Sequence, residues 1–243
     1  MPRLVLFLDD GGVMNDNRMR GPQWQQLLGE FFPPILGGAP AAWAEANRVV
    51  AERLWNDYLR MIRGRAVDDY AAFHRASELA WIGGMCELVG VPMLPEEESL
   101  DMAARAAAYV TRRVRSAFPG VVEAIRTLHA QGYTLHTASG EPSADLRGYL
   151  EGMGVCECFG RLYGPDLVNT LKAGPDFYAR IFADAGVAPA DALVIDDSPD
   201  VADWVVQAGT RLVLVGSAAG PQTKALLTID RLADLPLVIE RLE

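Results

Sequence analysis

Short apolar segments that stop at polar residues restrict the fold of this chain more than any other feature. The first, LVLFL at residues 4–8, is followed directly by two aspartates, and the run ALVI at residues 192–195 is followed by two more. Uninterrupted apolar runs of this length are typical of strands buried on both faces of a parallel sheet. We therefore expect parallel strands whose carboxyl ends carry polar side chains.

After residue 118, such segments alternate with stretches of helical periodicity. The helical segment VVEAIRTLHAQG precedes the strand YTLHT, and the helical segment DFYARIFADAG precedes the strand ALVID. A further helix, DVADWVVQAG, leads to the strand RLVLV. This alternation predicts an α/β fold with a doubly wound, Rossmann-like parallel sheet.

A block with a different pattern lies between the first and second predicted strands. From about Pro22 to Phe118 the sequence is rich in Ala, Leu and Arg, and apolar residues recur three and four positions apart. This spacing predicts three or four amphipathic helices and no strands. We expect residues 18–115 to form an all-α domain inserted into an α/β domain made of residues 1–17 and 116–243.

The polar residues at the strand ends are expected to converge, because ligands of a doubly wound sheet bind beyond the carboxyl ends of its strands. If the predicted strands are neighbours, five residues from distant parts of the sequence meet at this edge: Asp9, Asp10, Thr137, Asp196 and Asp197. Lys172 lies in the loop NTLKAGPD before a helix. It is one of two lysines in the chain, against twenty arginines, and this makes its position informative.

Four motifs in order make the chain resemble the haloacid dehalogenase-like (HAD) hydrolase superfamily. DDGGVMND at residues 9–16 occupies the place of a motif of the form Asp-x-Asp-Gly-Val/Ile-hydrophobic-x-Asp, with Gly11 where the motif has its second aspartate, and YTLHTAS matches a strand that ends in Thr or Ser. LKAGPDFY matches a lysine before a helix, and VIDDSPDVADWVVQAG matches an acidic pair after a strand. The resemblance covers the whole chain and implies that the helical block is the superfamily's all-α cap.

The resemblance implies a covalent mechanism in which Asp9 attacks phosphorus to form an aspartyl-phosphate. Thr137 and Lys172 are the other catalytic residues that it implies. Because clustered carboxylates repel one another, it also implies a Mg²⁺ cofactor. The expected metal ligands are the side chains of three aspartates and one backbone carbonyl: Asp9, Asp196, Asp197 and Gly11.

The substrate phosphate is expected beside the same strand ends. A hydroxyl, backbone N–H groups and one ammonium are the donors that it requires. Ser139 competes with Thr137 for the hydroxyl role. The residues expected to bind the substrate are Asp10, Gly12, Thr137, Ser139 and Lys172.

Gly11 departs from the superfamily's pattern. Phosphatases of this superfamily have at this position an aspartate that protonates the leaving group and later activates water, and glycine keeps only the carbonyl. General acid–base catalysis is typically worth about 10²–10⁴-fold. We therefore expect a slower enzyme, or one that needs a good leaving group.

Three explanations of Gly11 stay open. The first is a magnesium-dependent phosphatase whose acid–base group is weak or relocated. The second is a reaction that needs no such aspartate. Within it, phosphonate cleavage is disfavoured because it uses a cap lysine and residues 18–115 contain none, and metal-free dehalogenation is disfavoured by the acidic pair at residues 196 and 197. Phosphoryl transfer without that aspartate stays open. The third is a catalytically impaired protein that binds a phosphorylated ligand without turnover.

Charge and composition disfavour two classes of partner, whereas the resemblance implies a small phosphorylated molecule as the substrate. Acidic residues outnumber basic ones by 32 to 22, which disfavours nucleic acids and anionic membranes. Three cysteines fit neither a disulfide framework nor a four-ligand zinc site. No apolar run approaches the roughly 20 residues that span a bilayer, so we expect a cytoplasmic protein. The sequence indicates neither the substrate nor the oligomeric state.

Overall fold

Six strands form one parallel sheet in a computed structural model of the chain, which describes residues 4–64, 69–216 and 224–242. The strands are β1 (Val5–Leu8), β2 (Thr134–Ala138), β3 (Phe159–Tyr163), β4 (Ala192–Asp196), β5 (Arg211–Val215) and β6 (Leu227–Ile229). Their order across the sheet is β3-β2-β1-β4-β5-β6, and every pairing is parallel. The predicted doubly wound parallel sheet is confirmed. The two edge strands, β3 and β6, were not predicted.

The chain divides into two compact units, one made of Met1–Asn17 and Ser116–Glu243 and the other of Arg18–Arg115. The first, which we call the core unit, contains the sheet. The second, the helical unit, has no strand among its described residues. Its helices are α1 (Asn17–Phe31), α2 (Pro33–Leu36), α3 (Pro40–Gly64), α4 (Tyr70–Val89) and α5 (Glu96–Thr111). The first residue of α1, Asn17, belongs to the core unit. Four of these helices are long, in line with the three or four predicted.

Helices cover both faces of the sheet in the core unit. They are α6 (Val121–Ala130), α7 (Ser143–Met153), α8 (Pro165–Val168), α9 (Pro175–Ala185), α10 (Val201–Gln207) and α11 (Leu235–Val238), with short 3₁₀ helices at Cys156–Cys158, Pro189–Asp191, Leu232–Asp234 and Ile239–Arg241. Side chains alternate between the two faces of a strand. Leu6 and Leu8 of β1 therefore pack with α6 and α7, whereas Phe7 packs with α9 and α10. Both faces are buried, which explains the continuous apolar runs in the sequence.

The helical unit has its own aromatic core. Phe32 stacks on Trp43 with ring centroids 4.5 Å apart, and the Trp43 indole N–H donates to the carbonyl of Gly37 at 2.8 Å.

The side-chain amide of Gln23 donates to the Arg115 carbonyl at 3.0 Å and accepts from the Arg115 N–H at 2.7 Å. This pair of bonds joins the two ends of the helical unit.

Two findings concern the expectations drawn from composition. All three cysteines are free. Among the described residues, none of the helices combines the length and the apolar character that crossing a bilayer requires.

Candidate active site

The candidate site lies where the order of strands reverses. The chain passes from β1 to β2 on one side and places β4 on the other, so β1 and β4 flank the switch point at which doubly wound sheets bind ligands. Leu8 pairs with Ile195, and the N–H of Asp9 donates to the Ile195 carbonyl at 2.9 Å. This register sets Asp9 level with Asp196, as the strand ends of the sequence suggested.

Three carboxylates meet at this point. Asp9, Asp196 and Asp197 each offer an oxygen, and these oxygens all lie within 4.8 Å of one another. Asp9 is 7% exposed and Asp196 1% exposed. Oxygens on opposite sides of a hard divalent cation are about 4–5 Å apart, so the donor set and its spacing fit Mg²⁺. These are the three aspartates expected from the sequence as metal ligands.

Lys172 lies between two of these carboxylates. Its Nζ donates to Asp9 Oδ1 at 2.8 Å and to Asp196 Oδ2 at 2.7 Å, and its side chain is 10% exposed. Burial alone would lower the pKa of Lys172, but Asp196 and Asp9 hold this pKa well above its usual value. The ammonium therefore stays charged, and it fixes the position of the Asp9 carboxylate.

Burial also acts on the acidic pair. It raises the pKa of Asp196 to about 6, against the opposing charge of Lys172. It raises the pKa of Asp197 as well, and the negative charge of Asp9 adds to this effect. The N–H of Ser198 donates to Asp196 Oδ1 at 2.9 Å, which holds one oxygen of this carboxylate in place. With three carboxylates and one ammonium, the group carries excess negative charge near neutral pH, and a divalent cation would neutralise it.

Tyr178 is a member of the site that the sequence reasoning missed. It lies on α9, is fully buried, and interacts electrostatically with Lys172, Asp196 and Asp9. Burial raises the pKa of Tyr178 well above its usual value, with Lys172 opposing the shift. The phenol therefore stays neutral. Its signal in the sequence was its place at the start of the helix that follows the lysine loop.

Asp10, which the sequence predicts as a substrate-binding residue, lies inside the loop that follows β1. Asp10 is fully buried, and its Oδ1 accepts from Asn15 Nδ2 at 2.7 Å. The hydroxyl of Ser116 in turn donates to Asn15 Oδ1 at 2.8 Å. This buried chain of side chains ties the loop after β1 to the segment that re-enters the core unit at Ser116. Asp10 therefore supports the loop that presents Asp9.

The two glycines of this loop also have distinct roles. The N–H of Gly12 donates to the Asn15 carbonyl at 2.8 Å, so it is not free for the substrate phosphate that was expected there. Gly12 has φ +89°, and a Cβ on it would lie 2.0 Å from Asp197 Oδ2. Only glycine fits beside Asp197. The carbonyl of Gly11, expected as a metal ligand, is outside the hydrogen bonds that the loop forms with itself.

The two strand-end hydroxyls, both predicted to bind the substrate, lie in different surroundings. Thr137 pairs with Leu8, one residue before the level of Asp9, and its hydroxyl is buried and donates to the Tyr163 carbonyl at 3.1 Å. Alternation along the strand turns Thr137 to the face opposite Asp9. Ser139 lies just beyond β2, 2% exposed, and its Oγ accepts from the Glu141 N–H at 3.3 Å. The geometry therefore favours Ser139 over Thr137 as a donor to the substrate.

The fold and the site define an α/β protein with an acidic centre at the switch point of its sheet. A family model described as haloacid dehalogenase-like hydrolase matches residues 12–209. The chain belongs to this family of hydrolases.

Two curated relatives are named as phosphatases. The chain is 35% identical over 88 residues to the "Probable phosphatase IndB" of Dickeya dadantii, a match that covers 35% of this chain and 37% of the relative. It is 27% identical over 100 residues to the phosphoglycolate phosphatase of Rhodospirillum rubrum, covering 41% and 42%. The matched segments thus span less than half of either relative.

Solved structures share the fold over the full chain. The L-2-haloacid dehalogenase of Xanthobacter autotrophicus superposes with a TM-score of 0.63 at 17% identity, covering all of both chains. The HAD-hydrolase YfnB of Bacillus subtilis, bound to magnesium, superposes with a TM-score of 0.66 at 14% identity, covering 98% of this chain and 99% of its own. At this level of identity the likeness concerns the fold.

Proposed function

We propose that the protein is a magnesium-dependent phosphatase that hydrolyses a small phosphorylated metabolite through an aspartyl-phosphate on Asp9. The observation that carries this proposal is the buried cluster in which Lys172 bonds both Asp9 and Asp196. In this cluster, oxygens of Asp9, Asp196 and Asp197 lie close enough together to bind one metal ion. The names of the two curated relatives support the same reaction class.

The side chains of Asp9, Asp196 and Asp197 would hold the metal. Bound there, Mg²⁺ supplies positive charge that lowers the repulsion between a carboxylate nucleophile and a phosphate dianion. The donors are carboxylate oxygens, the ligand type that Mg²⁺ prefers. Mg²⁺ also suits the net negative charge that remains after Lys172 has neutralised one carboxylate.

The remaining catalytic roles are those of the nucleophile, a positive charge and a hydrogen-bond donor, and residues of this chain supply them. The Oδ of Asp9 forms a bond to phosphorus as the bond from phosphorus to the leaving oxygen breaks. Lys172 fixes the nucleophile by its 2.8 Å bond and supplies positive charge beside the phosphoryl oxygens. The hydroxyl of Ser139 is the best placed side-chain donor for those oxygens. Thr137 and Asp10 support the architecture instead.

The helical unit, residues 18–115, is proposed as the cap that selects the substrate. Its insertion between β1 and β2 gives it two connections to the core unit, and both begin at the loop network of Asp10, Asn15 and Ser116. Selection of a small molecule rather than a polymer agrees with the acidic composition of the chain.

Turnover of 4-nitrophenyl phosphate tests the proposal. Release of nitrophenolate should require Mg²⁺ and should fall by at least about 10³-fold in Asp9→Asn, because the nucleophile is lost. Asp191→Asn is the matched control, since Asp191 is exposed and lies in a short 3₁₀ helix outside the site. It should keep the wild-type rate.

Two results would contradict the proposal. If no release depends on Asp9, while a phosphorylated ligand still binds, the protein is a binding protein without turnover. If chloride is released from 2-chloropropionate without Mg²⁺, the reaction is dehalogenation, the reaction named for the structural neighbour from Xanthobacter autotrophicus.

A further inference from the structure

The side chain of Asn17 occupies the space that a side chain at position 11 would need. A Cβ built on Gly11 would lie 2.9 Å from both Asn17 Nδ2 and Asn17 Oδ1, and 3.3 Å from its Cγ. Ordinary contacts of a Cβ atom are 3.4 Å or longer. Gly11 and Asn17 both belong to the core unit, so this contact lies within one compact body.

The Asn17 amide is available for a ligand. Asn17 is exposed at the first position of α1, and its side chain forms no hydrogen bond with any residue that the structure describes. In contrast, the other asparagine of the loop, Asn15, is buried and uses its amide to bond Asp10. Asn17 is therefore the polar group that faces the vacant side-chain position two residues after Asp9.

We propose that Asn17 replaces the missing acid–base residue with a hydrogen-bond donor, and that the substrate is a phosphate ester or anhydride of an acidic leaving group. This inference rests on the proposed function. An amide donates a hydrogen bond but releases no proton at ordinary pH. Asn17 Nδ2 can thus stabilise negative charge on a leaving oxygen without neutralising it.

The chemical steps balance without a general acid. The Asp9 carboxylate forms a bond to phosphorus, the bond from phosphorus to the leaving oxygen breaks, and the electron pair departs with that oxygen as an anion. Water then adds to phosphorus and the bond to Asp9 breaks. Both protons of this water end on the released dihydrogen phosphate, and Asp9 returns to its carboxylate.

Leaving groups that depart as stable anions fit this scheme. A carboxylate from an acyl phosphate, or a phosphate from a phosphoanhydride, needs no proton as it leaves. An alkoxide from an alkyl phosphate does need one, because it is a strong base and departs poorly as an anion. General acid catalysis is worth about 10²–10⁴-fold for such a step. The site is therefore specific for acyl phosphates and phosphoanhydrides over alkyl phosphates.

A leaving-group comparison tests the inference on the full-length protein with Mg²⁺. The ratio of kcat/KM for acetyl phosphate to that for phenyl phosphate should be at least about 10³ in the wild type. Asn17→Asp changes the amide to a carboxyl group of the same shape, and this substitution should narrow the ratio by about 10²-fold. At the N-terminus of a helix an aspartate is favourable, so the variant should fold.

Two further variants separate a role in bonding the leaving group from a structural one. Asn17→Ala removes the hydrogen bond to the leaving oxygen, so it should lower kcat/KM for phenyl phosphate by about 2–10-fold and kcat/KM for acetyl phosphate by less, whereas a structural role would lower both equally. Gly11→Asp places its Cβ against the exposed end of the Asn17 side chain, which can turn aside, so this variant should gain about 10²-fold on phenyl phosphate both alone and combined with Asn17→Ala.

The outcomes distinguish this inference from the proposed function. Equal kcat/KM for acetyl and phenyl phosphate in the wild type overturns the inference, and so does an unchanged ratio in Asn17→Asp. In either case Asp9-dependent release would still support the phosphatase proposal. If neither substrate is hydrolysed in an Asp9-dependent manner, both proposals are overturned.

Discussion

Replacing Gly12 with alanine should damage the proposed metal site through one defined contact. The new methyl group would lie 2.0 Å from Asp197 Oδ2 and 2.4 Å from its Cγ. No side-chain carbon approaches a carboxylate this closely, so either the loop or Asp197 must move. Because the loop is held by the buried bonds of Asp10 and Asn15, we expect Asp197 to swing away from Asp9 and Asp196.

The size of the effect has two parts. Gly12 has φ +89°, and an L-residue in this left-handed region costs about 1–2 kcal/mol. Displacing Asp197 removes one of the three proposed carboxylate ligands. Changes in the second shell of a metal site typically lower affinity by about 10–100-fold, so loss of a direct ligand should lower Mg²⁺ affinity by about 10²-fold or more.

A matched control separates backbone strain from the clash. Gly132 has φ +86°, and a Cβ on it would meet no atom within 4 Å. Gly132→Ala should therefore lower Tm by about 2–8 °C, as 1–2 kcal/mol does for a chain of this size, and leave Mg²⁺ binding intact. Thermal melting and calorimetric titration with Mg²⁺ measure both quantities. The reasoning is refuted if the Gly12 and Gly132 variants bind Mg²⁺ equally well.

Three other substitutions have defined outcomes. Lys172→Met leaves two buried carboxylates unpaired and should lower the free energy of unfolding by about 3–5 kcal/mol without Mg²⁺, with part of the loss recovered on adding Mg²⁺ in urea titrations; a loss independent of Mg²⁺ argues against a shared cation. Burial raises the pKa of Glu78 from 4.5 to about 7, so between these pH values the folded state holds a proton on Glu78 that the unfolded state has lost. Wild-type stability therefore falls as pH rises from about 4.5 to 7. Relative to wild type, Glu78→Gln should gain about 2 kcal/mol between pH 5 and pH 8, and an equal difference at both pH values contradicts this burial effect. Ser139→Ala should raise KM for 4-nitrophenyl phosphate more than Thr137→Val does, whereas Thr137→Val should lower Tm more; the reverse order restores Thr137 as the phosphate donor.

The sequence predicted the central strands because they are buried on both faces. β1 and β4 lie inside the sheet, and their uninterrupted apolar runs leave little room for another interpretation. The edge strands carry weaker signals. β3 exposes Gly160 and Arg161, and β6 is three residues long with a central exposed threonine, so neither shows a continuous apolar run.

Within the site, the sequence located the charged groups better than the hydroxyl groups. Asp9, Lys172 and Asp196 follow from their places at strand ends and in the lysine loop, and Lys172 lies within hydrogen-bonding distance of both aspartates. The face on which Thr137 lies depends on strand register, which a single sequence does not specify to one residue. A one-residue difference decides whether a side chain faces Asp9 or the opposite layer.

The contacts around the two loop glycines were beyond sequence reasoning. The motif shows that Gly11 lacks a carboxylate but not that Asn17 fills its place, because this contact depends on how the loop folds back onto the start of α1. Similarly, the need for glycine at position 12 arises from Asp197, which is distant in sequence.

The most direct test of the central claim is to identify the residue that carries the phosphoryl group. The protein is incubated with Mg²⁺ and acetyl phosphate, quenched in acid and digested, and the peptide LVLFLDDGGVMNDNR is analysed by mass spectrometry. A covalent mechanism predicts a phosphoryl group on Asp9 of this peptide in the wild type and none in Asp9→Asn. Turnover with no phosphorylated peptide, or a peptide equally phosphorylated in Asp9→Asn, would contradict it.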